Sequence, residues 1–326
     1  MSKVTLTGYE IKIKKVREDG DKALEKFDGK NDLFQVLRMY LYTHQPKTSG
    51  VPDTIKVKQA DQKTLIFDGF ESDTNSRTIF GTAKIGEYGL AYNLVDVNNQ
   101  NITYKRTVNE TDSFPIHFLF HIPDMNSNLR FTGVAVFEKF RNRGGKGLFE
   151  SDFDEYFRKK FPDYLLRMES LVPEEVMDSL TRGVISEVTL KSPSLPKNEE
   201  DFYDNGEKEE GRSKLTYTFP KAGAKENLNK WLKKVVGKKE LMNGVLTGDW
   251  FDVNEISAKV NVDNKDETII IKEGGELIVP GLDISKNARP EKKNGFPPPE
   301  AVRRESEKYL IDLEKKLMNE LQTAKE

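Results

Sequence analysis

The chain has 326 residues, with 52 Lys and Arg against 54 Asp and Glu, so its near-neutral total singles out no charged partner; any polyanion surface must come from segregated charge. It has no cysteine and only three histidines, His44, His117 and His121, which excludes disulfide frameworks, thiolate catalysis and cysteine-based metal sites. A third of the residues are charged and 19 are phenylalanine, so a polar surface and an aromatic core are both available.

In chain order, residues 4–17 alternate apolar and polar side chains and predict an opening strand with one solvated face. Residues 33–42 predict a short buried helix. Short strands are expected at 54–57, 64–67 and 79–85, and a further strand at 91–97 closes the meander. The stretch 114–147 is the centre of this half. Two β-branched and aromatic strands flank the turn Asp124–Asn128, and both are apolar at nearly every position, as in a sheet covered on both faces. Next, residues 148–161 place Phe149, Phe153, Phe157 and Phe161 on one helical face, and Pro162 stops the helix. Another short helix is expected at 174–180 and a strand at 184–190.

Composition then shifts. Residues 199–210 hold seven carboxylates against one lysine and read as a linker or insertion. Beyond it come a strand at 214–219, an amphipathic helix at 224–236, strands within 245–262 and 267–271, and a Gly274-Gly275 turn before 277–279. The closing helix, 300–322, carries Leu310, Leu313, Leu317 and Leu321 on one stripe, suited to packing on the body or on a second copy. The expected class is α+β, with a mainly antiparallel sheet-based domain at 1–191, an acidic linker at 192–213, and a smaller α+β domain at 214–286. A connector at 287–299 and a helix at 300–326 complete the chain.

Two basic segments are candidate nucleic-acid contacts. The loop after the second central strand carries Lys139, Arg141, Arg143 and Lys146 among glycines, which free the backbone to approach an anion, while arginine forks bind phosphate bidentately. It lacks the nucleotide-binding P-loop pattern, and a solvated hairpin exit is the ordinary alternative. The helix at 224–236 presents Lys225, Lys230, Lys233 and Lys234, continued by Lys238 and Lys239. From Lys221 to Lys239 there are seven lysines against Glu226. Neutralising several phosphates in this way gives salt-dependent, sequence-tolerant affinity, although a solvated face or an anionic membrane surface would use the same residues. The acidic run could shield that helix or simply solubilise a loop.

Other motifs carry less. His117 and His121 share a strand face without a third ligand nearby and read as satisfied core or edge histidines. Glu10-Ile-Lys12 matches the Glu-x-Lys ending of nuclease sites, but no partnering Asp precedes it. No catalytic residue, metal or cofactor is expected from these motifs.

The order of elements resembles the family of the phage exclusion protein RexA and related abortive-infection proteins. The resemblance is carried by Phe-Pro-x-x-Phe-Leu-Phe at Phe114–Phe120 and the apolar strand after it, and by Leu180-Thr-Arg-Gly-Val-Ile-Ser-Glu-Val188. The lysine-rich helix at Lys225–Lys239, the Gly-Gly turn with Leu-x-x-Pro at Leu277–Pro280, and the charged closing helix complete it. It spans about two-thirds of the chain, and the acidic run departs from it. The resemblance implies a cytoplasmic DNA-binding sensor, a homodimer, acting in phage defence with a membrane-protein effector as a further partner; together with the segregated lysines it makes sequence-nonspecific double-stranded DNA binding the expected function. The alternatives are a protein-interaction subunit that uses the C-terminal stripe and acidic loop, and a metal-dependent nuclease.

Overall fold

A computed structural model describes residues 3–44, 55–57, 62–141, 143–171, 184–192, 213–218, 255–262, 265–272, 277–278 and 281–323. The fold is α+β. The chain divides into two compact units, Met1–Leu171 with Gly281–Glu326, and Val172–Pro280.

The first unit is built on a nine-stranded antiparallel sheet. Its elements begin with β1 (Val4–Lys15) and α1 (Leu33–His44), followed by β2 (Ile55–Val57), β3 (Lys63–Asp73) and β4 (Thr78–Glu87). Then come β5 (Tyr92–Val95), β6 (Ile102–Arg106), β7 (Asp112–His121), β8 (Gly133–Phe140) and β9 (Arg143–Gly144). After α2 (Lys146–Lys160) comes β10 (Tyr164–Leu171). The sheet runs β10-β1-β8-β7-β4-β3-β2, with β9 added to β8.

The alternating side chains of the central strands serve two cores. Ile11, Ile13, Phe118, Phe120, Ala135 and Phe137 point to α1 and α2, where they meet Phe34, Leu37, Tyr40, Phe149, Phe153 and Phe157. Phe149 lies within ring-contact distance of Tyr40, Phe67, Phe118, Phe120, Phe137 and Phe153, mostly edge-on or tilted as ring quadrupoles favour. The fully buried Tyr40 finds its polar partner in Asp152, to which its hydroxyl donates at 2.6 Å. Asp32 caps α1, its Oδ1 accepting the Phe34 N–H at 2.9 Å. The same carboxylate receives a two-pronged ion pair from Arg77, at 2.7 and 3.0 Å.

The opposite face of the sheet is covered by α3 (Pro299–Thr323), whose Pro299 stands at the helix start, where a missing N–H costs no bond. Its Val302, Tyr309, Leu310, Leu313 and Leu317 close over Val4, Leu6, Leu119, Val134 and Val136. Gly8 makes this approach possible: a Cβ there would sit 2.5 Å from Leu313 Cδ1. The C-terminal stripe therefore packs on the body of its own chain. Only Leu321 of the four leucines is exposed.

Three expectations are corrected. β1 has no solvated face from Val4 to Tyr9: Val4 and Leu6 lie under α3, and Thr5 and Thr7 on the other face are buried too, the Thr7 hydroxyl donating to the Phe137 carbonyl at 3.2 Å. The strand near 91–97 does not join the meander. β4 pairs directly with β7, from Thr78↔His121 to Glu87↔Asp112, and the residues between leave the sheet as a separate β5-β6 hairpin. The first domain does not run unbroken to residue 191, nor does the closing helix stand apart from it.

The last point follows from strand pairing. Leu171 at the end of β10 lies opposite Gly8. On the return, Leu282 in β16 (Leu282–Asp283) lies opposite Leu6 on the same strand. The chain thus leaves and re-enters the first unit at neighbouring positions, which is the geometry a domain insertion needs.

The second unit contains a five-stranded antiparallel sheet of β11 (Val184–Ser192), β12 (Ser213–Thr218), β13 (Glu255–Val262), β14 (Lys265–Lys272) and β15 (Leu277–Ile278), in the order β12-β11-β13-β14-β15. Val188, Ile256, Ala258, Val260 and Ile269 are buried in it. β11 was expected in the first domain; its partners β12 and β13 place it here. The helices expected at 174–180 and 224–236 and the acidic run 199–210 lie outside the described residues.

Candidate nucleic-acid interface

The basic loop is formed where β8 ends on the surface. At Arg141 the backbone turns with φ of 50°, and β9 folds back so that Arg143 pairs with Phe140 and Gly144 with Lys139. Helix α2 starts immediately afterwards, with Gly145 at its N-cap and the Phe149 N–H bonded to the Gly145 carbonyl at 2.9 Å. Two features converge here: cationic side chains and the positive end of a helix dipole.

The four cations are not equivalent. Arg141 and Arg143 are exposed, each with its guanidinium over an aromatic ring, Phe140 at 5.4 Å and Phe114 at 5.3 Å. Stacking orders a guanidinium through its flat face and does not consume its in-plane N–H donors, the ones that grip phosphate. Lys146 points inward: its Nζ bonds Glu150 Oε2 at 2.7 Å and the Met168 carbonyl at 3.2 Å, and lies 4.8 Å from the Tyr9 ring centre. It was expected as a phosphate contact, but these partners hold it as a brace between α2 and the sheet. Glu150, four residues on, was the signal in the sequence.

Lys139, the fourth cation, is half-buried at the end of β8. Burial, and then the neighbouring Lys146 charge, hold its ammonium below the ordinary lysine range. An anion placed over the loop would favour the charged form of Lys139.

The glycines have a different task from the one expected. A Cβ on Gly145 would lie 2.1 Å from Ile116 Cδ1, and one on Gly144 2.8 Å from Lys139 Cγ, so both are small because the loop presses on the sheet. Of the loop glycines, only Gly147 faces open space. Lys225, Lys230, Lys233, Lys234, Lys238 and Lys239 lie outside the described residues.

His117 and His121 each face a carboxylate of the same unit, and His117 Nε2 and Glu138 Oε1 are buried without a hydrogen-bond partner, so His117 is not the fully satisfied core histidine expected. His117 is buried on the α3 side, with its Nδ1 2.5 Å from Glu138 Oε2, and the same oxygen accepts the His117 backbone N–H at 3.0 Å. Its ring stacks on Phe80 at 5.9 Å. His121 pairs with Glu314 of α3. Among the described residues, no three His, Asp or Glu side chains are grouped to hold a metal.

Glu10 and Lys12 share one face of β1 and form an ion pair at 2.7 Å. They line a cavity of about 430 Å³ with Asp21, Phe131, Leu317 and Glu320. Burial raises the Glu10 pKa, opposed by Lys12 and reinforced by Glu169 and Glu320. Sequence reasoning found the pair but not the cavity, whose walls come from segments distant in the chain.

No protein-family model matches the chain, and no curated protein matches it. Among the described residues, no helix is long and apolar enough to cross a membrane.

Proposed function

We propose that this is a sequence-nonspecific double-stranded DNA-binding protein acting in phage exclusion or antiviral defence. On this reading it works in the cytoplasm as a homodimeric binding protein rather than an enzyme, with a membrane-protein effector as its further partner. One observation carries the reading: two exposed arginines, each over an aromatic ring, and the partly desolvated Lys139 lie on the β8–β9 turn that leads into α2. Phosphate is the anion that such forks and a helix N-terminus suit, and contacts of this kind carry no base information. The seven lysines of 221–239 and the ordered resemblance to abortive-infection proteins support it from the sequence.

A gel-shift series from low to high salt on unrelated duplexes tests it. Affinity should fall steeply with salt and should not depend on sequence. Charge reversal of Lys230, Lys233 and Lys234 should weaken binding on every duplex alike. Unchanged affinity would remove that segment from the interface.

The second reading is a protein-interaction subunit without nucleic-acid binding. Of its two expected contacts, the leucine stripe of α3 is occupied by the sheet except at Leu321, and the acidic run lies outside the described residues. What favours it now is a different apolar surface, on the β5-β6 hairpin. Absence of a shift at any salt, with a stable complex to a partner protein, would favour it. Loss of DNA on long incubation with magnesium would instead indicate a nuclease.

A further inference from the structure

The connector that leads into α3 is an ordered basic segment, and strand pairing sets it beside the arginine turn. At one end of the first sheet four chains run side by side. Arg143 of β9 lies opposite Phe140 of β8, and Phe140 lies opposite Val4 of β1. Ile284, just past β16, donates its N–H to the Val4 carbonyl at 3.0 Å. With neighbouring strands about 4.8 Å apart, this row of four chains is about 14 Å long. Cations continue the chains beyond it. The Arg141 backbone N–H bonds the Lys3 carbonyl at 3.0 Å, and Lys286 follows Ile284 by two residues.

Residues 284–296 are anchored on the inside and charged on the outside. Ile284 and Ala288 are buried in the core under α3, and Ser285 Oγ accepts the Val4 N–H at 2.9 Å. The Asn287 amide donates to Glu305 of α3 at 2.9 Å. Gly295, in the left-handed region with φ of 76°, bonds its N–H to the Glu291 carbonyl at 2.8 Å. The Phe296 ring then packs 5.4 Å from Phe140, the ring that also carries Arg141. Outward stand Lys286, Arg289, Lys292 and Lys293, all exposed and none in an ion pair among the described residues. The carboxylates alongside have donors of their own: Glu291 accepts from the Asn294 amide at 3.1 Å, and Asp283 from the Ser285 N–H at 2.9 Å. An anchored backbone of this kind loses little freedom when its cations engage an anion.

The chemistry of the strip selects a duplex. Its cations are spread along a line instead of converging on one point, which suits a chain of phosphates better than a single anion. The row is about as long as the major groove of a duplex is wide, about 12 Å, so one strip reaches the backbones on both sides of a groove. A bilayer would also attract the charge, but residues 284–296 expose no large apolar side chain to enter it.

We propose that residues 284–296 form a second phosphate-binding element, which with Lys3, Arg141 and Arg143 makes one continuous strip for duplex backbone. This inference rests on the DNA-binding reading and adds a contact that reading does not contain. Fluorescence-anisotropy titration of a labelled duplex across a salt series tests it, with the full chain and with Lys286→Gln, Arg289→Gln, Lys292→Gln, Lys293→Gln combined. The combined variant should bind on the order of 100-fold more weakly at 0.1 M salt, with a log–log salt slope shallower by about 3 to 4. Thermal unfolding checks that it is folded. If it is not, Lys292→Gln with Lys293→Gln, at two exposed positions, decides the matter with a slope shallower by about 2. A folded variant with wild-type affinity and slope, beside an Arg141→Glu, Arg143→Glu protein that has lost affinity, overturns this inference and leaves the DNA-binding reading standing. A wild type that binds no duplex at low salt overturns both. A wild type that binds phosphatidylserine vesicles and no duplex assigns the strip to a membrane surface and likewise overturns the proposal.

Discussion

Two hairpins of the first unit carry much the same composition and end differently. β7 and β8 are rich in phenylalanine and valine, and Ile116–Phe120 of β7 and all of β8 but Lys139 are buried, some under α1 and α2 and the others under α3. β5 and β6 carry tyrosine, leucine, valine and isoleucine, and these remain in water. The difference is their position in the sheet, since β7 has strand neighbours on both sides and helices on both faces. Apolar alternation therefore reports that a face needs cover, and only the tertiary pairing tells whether the same chain supplies it.

The sharpest break in that comparison is a pair of truncations. Phe149→Ala, in the ring cluster above β7 and β8, should cost about 3–5 kcal/mol in denaturant unfolding. Leu94→Ala in the β5-β6 hairpin should stay within about 0.5 kcal/mol. Equal costs would mean that this hairpin is as packed as the central one. Next in size is Gly8→Val, which drives a side chain into Leu313 and should destabilise by about 1–3 kcal/mol, read as a lowered Tm. A smaller effect is expected for Asp32→Ala, which loses the α1 cap and the Arg77 pair; about 1–2 kcal/mol in the same assay is the expected range. The smallest is Lys159→Ala, an exposed residue paired with Glu155, which should leave the Tm unchanged.

Much of the first unit was legible in local pattern. The four-residue phenylalanine spacing of α2, the leucine stripe of α3 and the two-sided apolar strands β7 and β8 each read correctly, because periodicity is a property of neighbouring residues. What could not be read was long-range. Thr5 and Thr7 look solvated in a sequence, and their burial depends on packing around a strand whose partners there, β8 and β16, are distant in the chain. Likewise Leu171 and Leu282 are far apart in the chain, and their meeting on β1 is what divides the protein into its two units.

The candidate site was half legible. Four cations in one loop could be counted, but the division between outward and inward ones depends on partners. Arg141 and Arg143 stack over the rings beside them and remain exposed, while Glu150 and the Met168 carbonyl draw Lys146 inward. The loop glycines were assigned to ligand approach, yet the nearest neighbours of Gly144 and Gly145 are the protein's own side chains.

The most direct measurement is a fluorescence-anisotropy titration of two unrelated DNA duplexes across a salt series, with the wild type and the Arg141→Glu, Arg143→Glu variant. The proposed function predicts equal affinity for both duplexes and a linear fall of log K with log salt. It also predicts a slope shallower by about 2 in the variant, because each arginine neutralises one phosphate in the wild-type complex. An unchanged slope would remove the arginine loop from the interface, and no binding by the wild type at low salt would contradict the DNA-binding account itself.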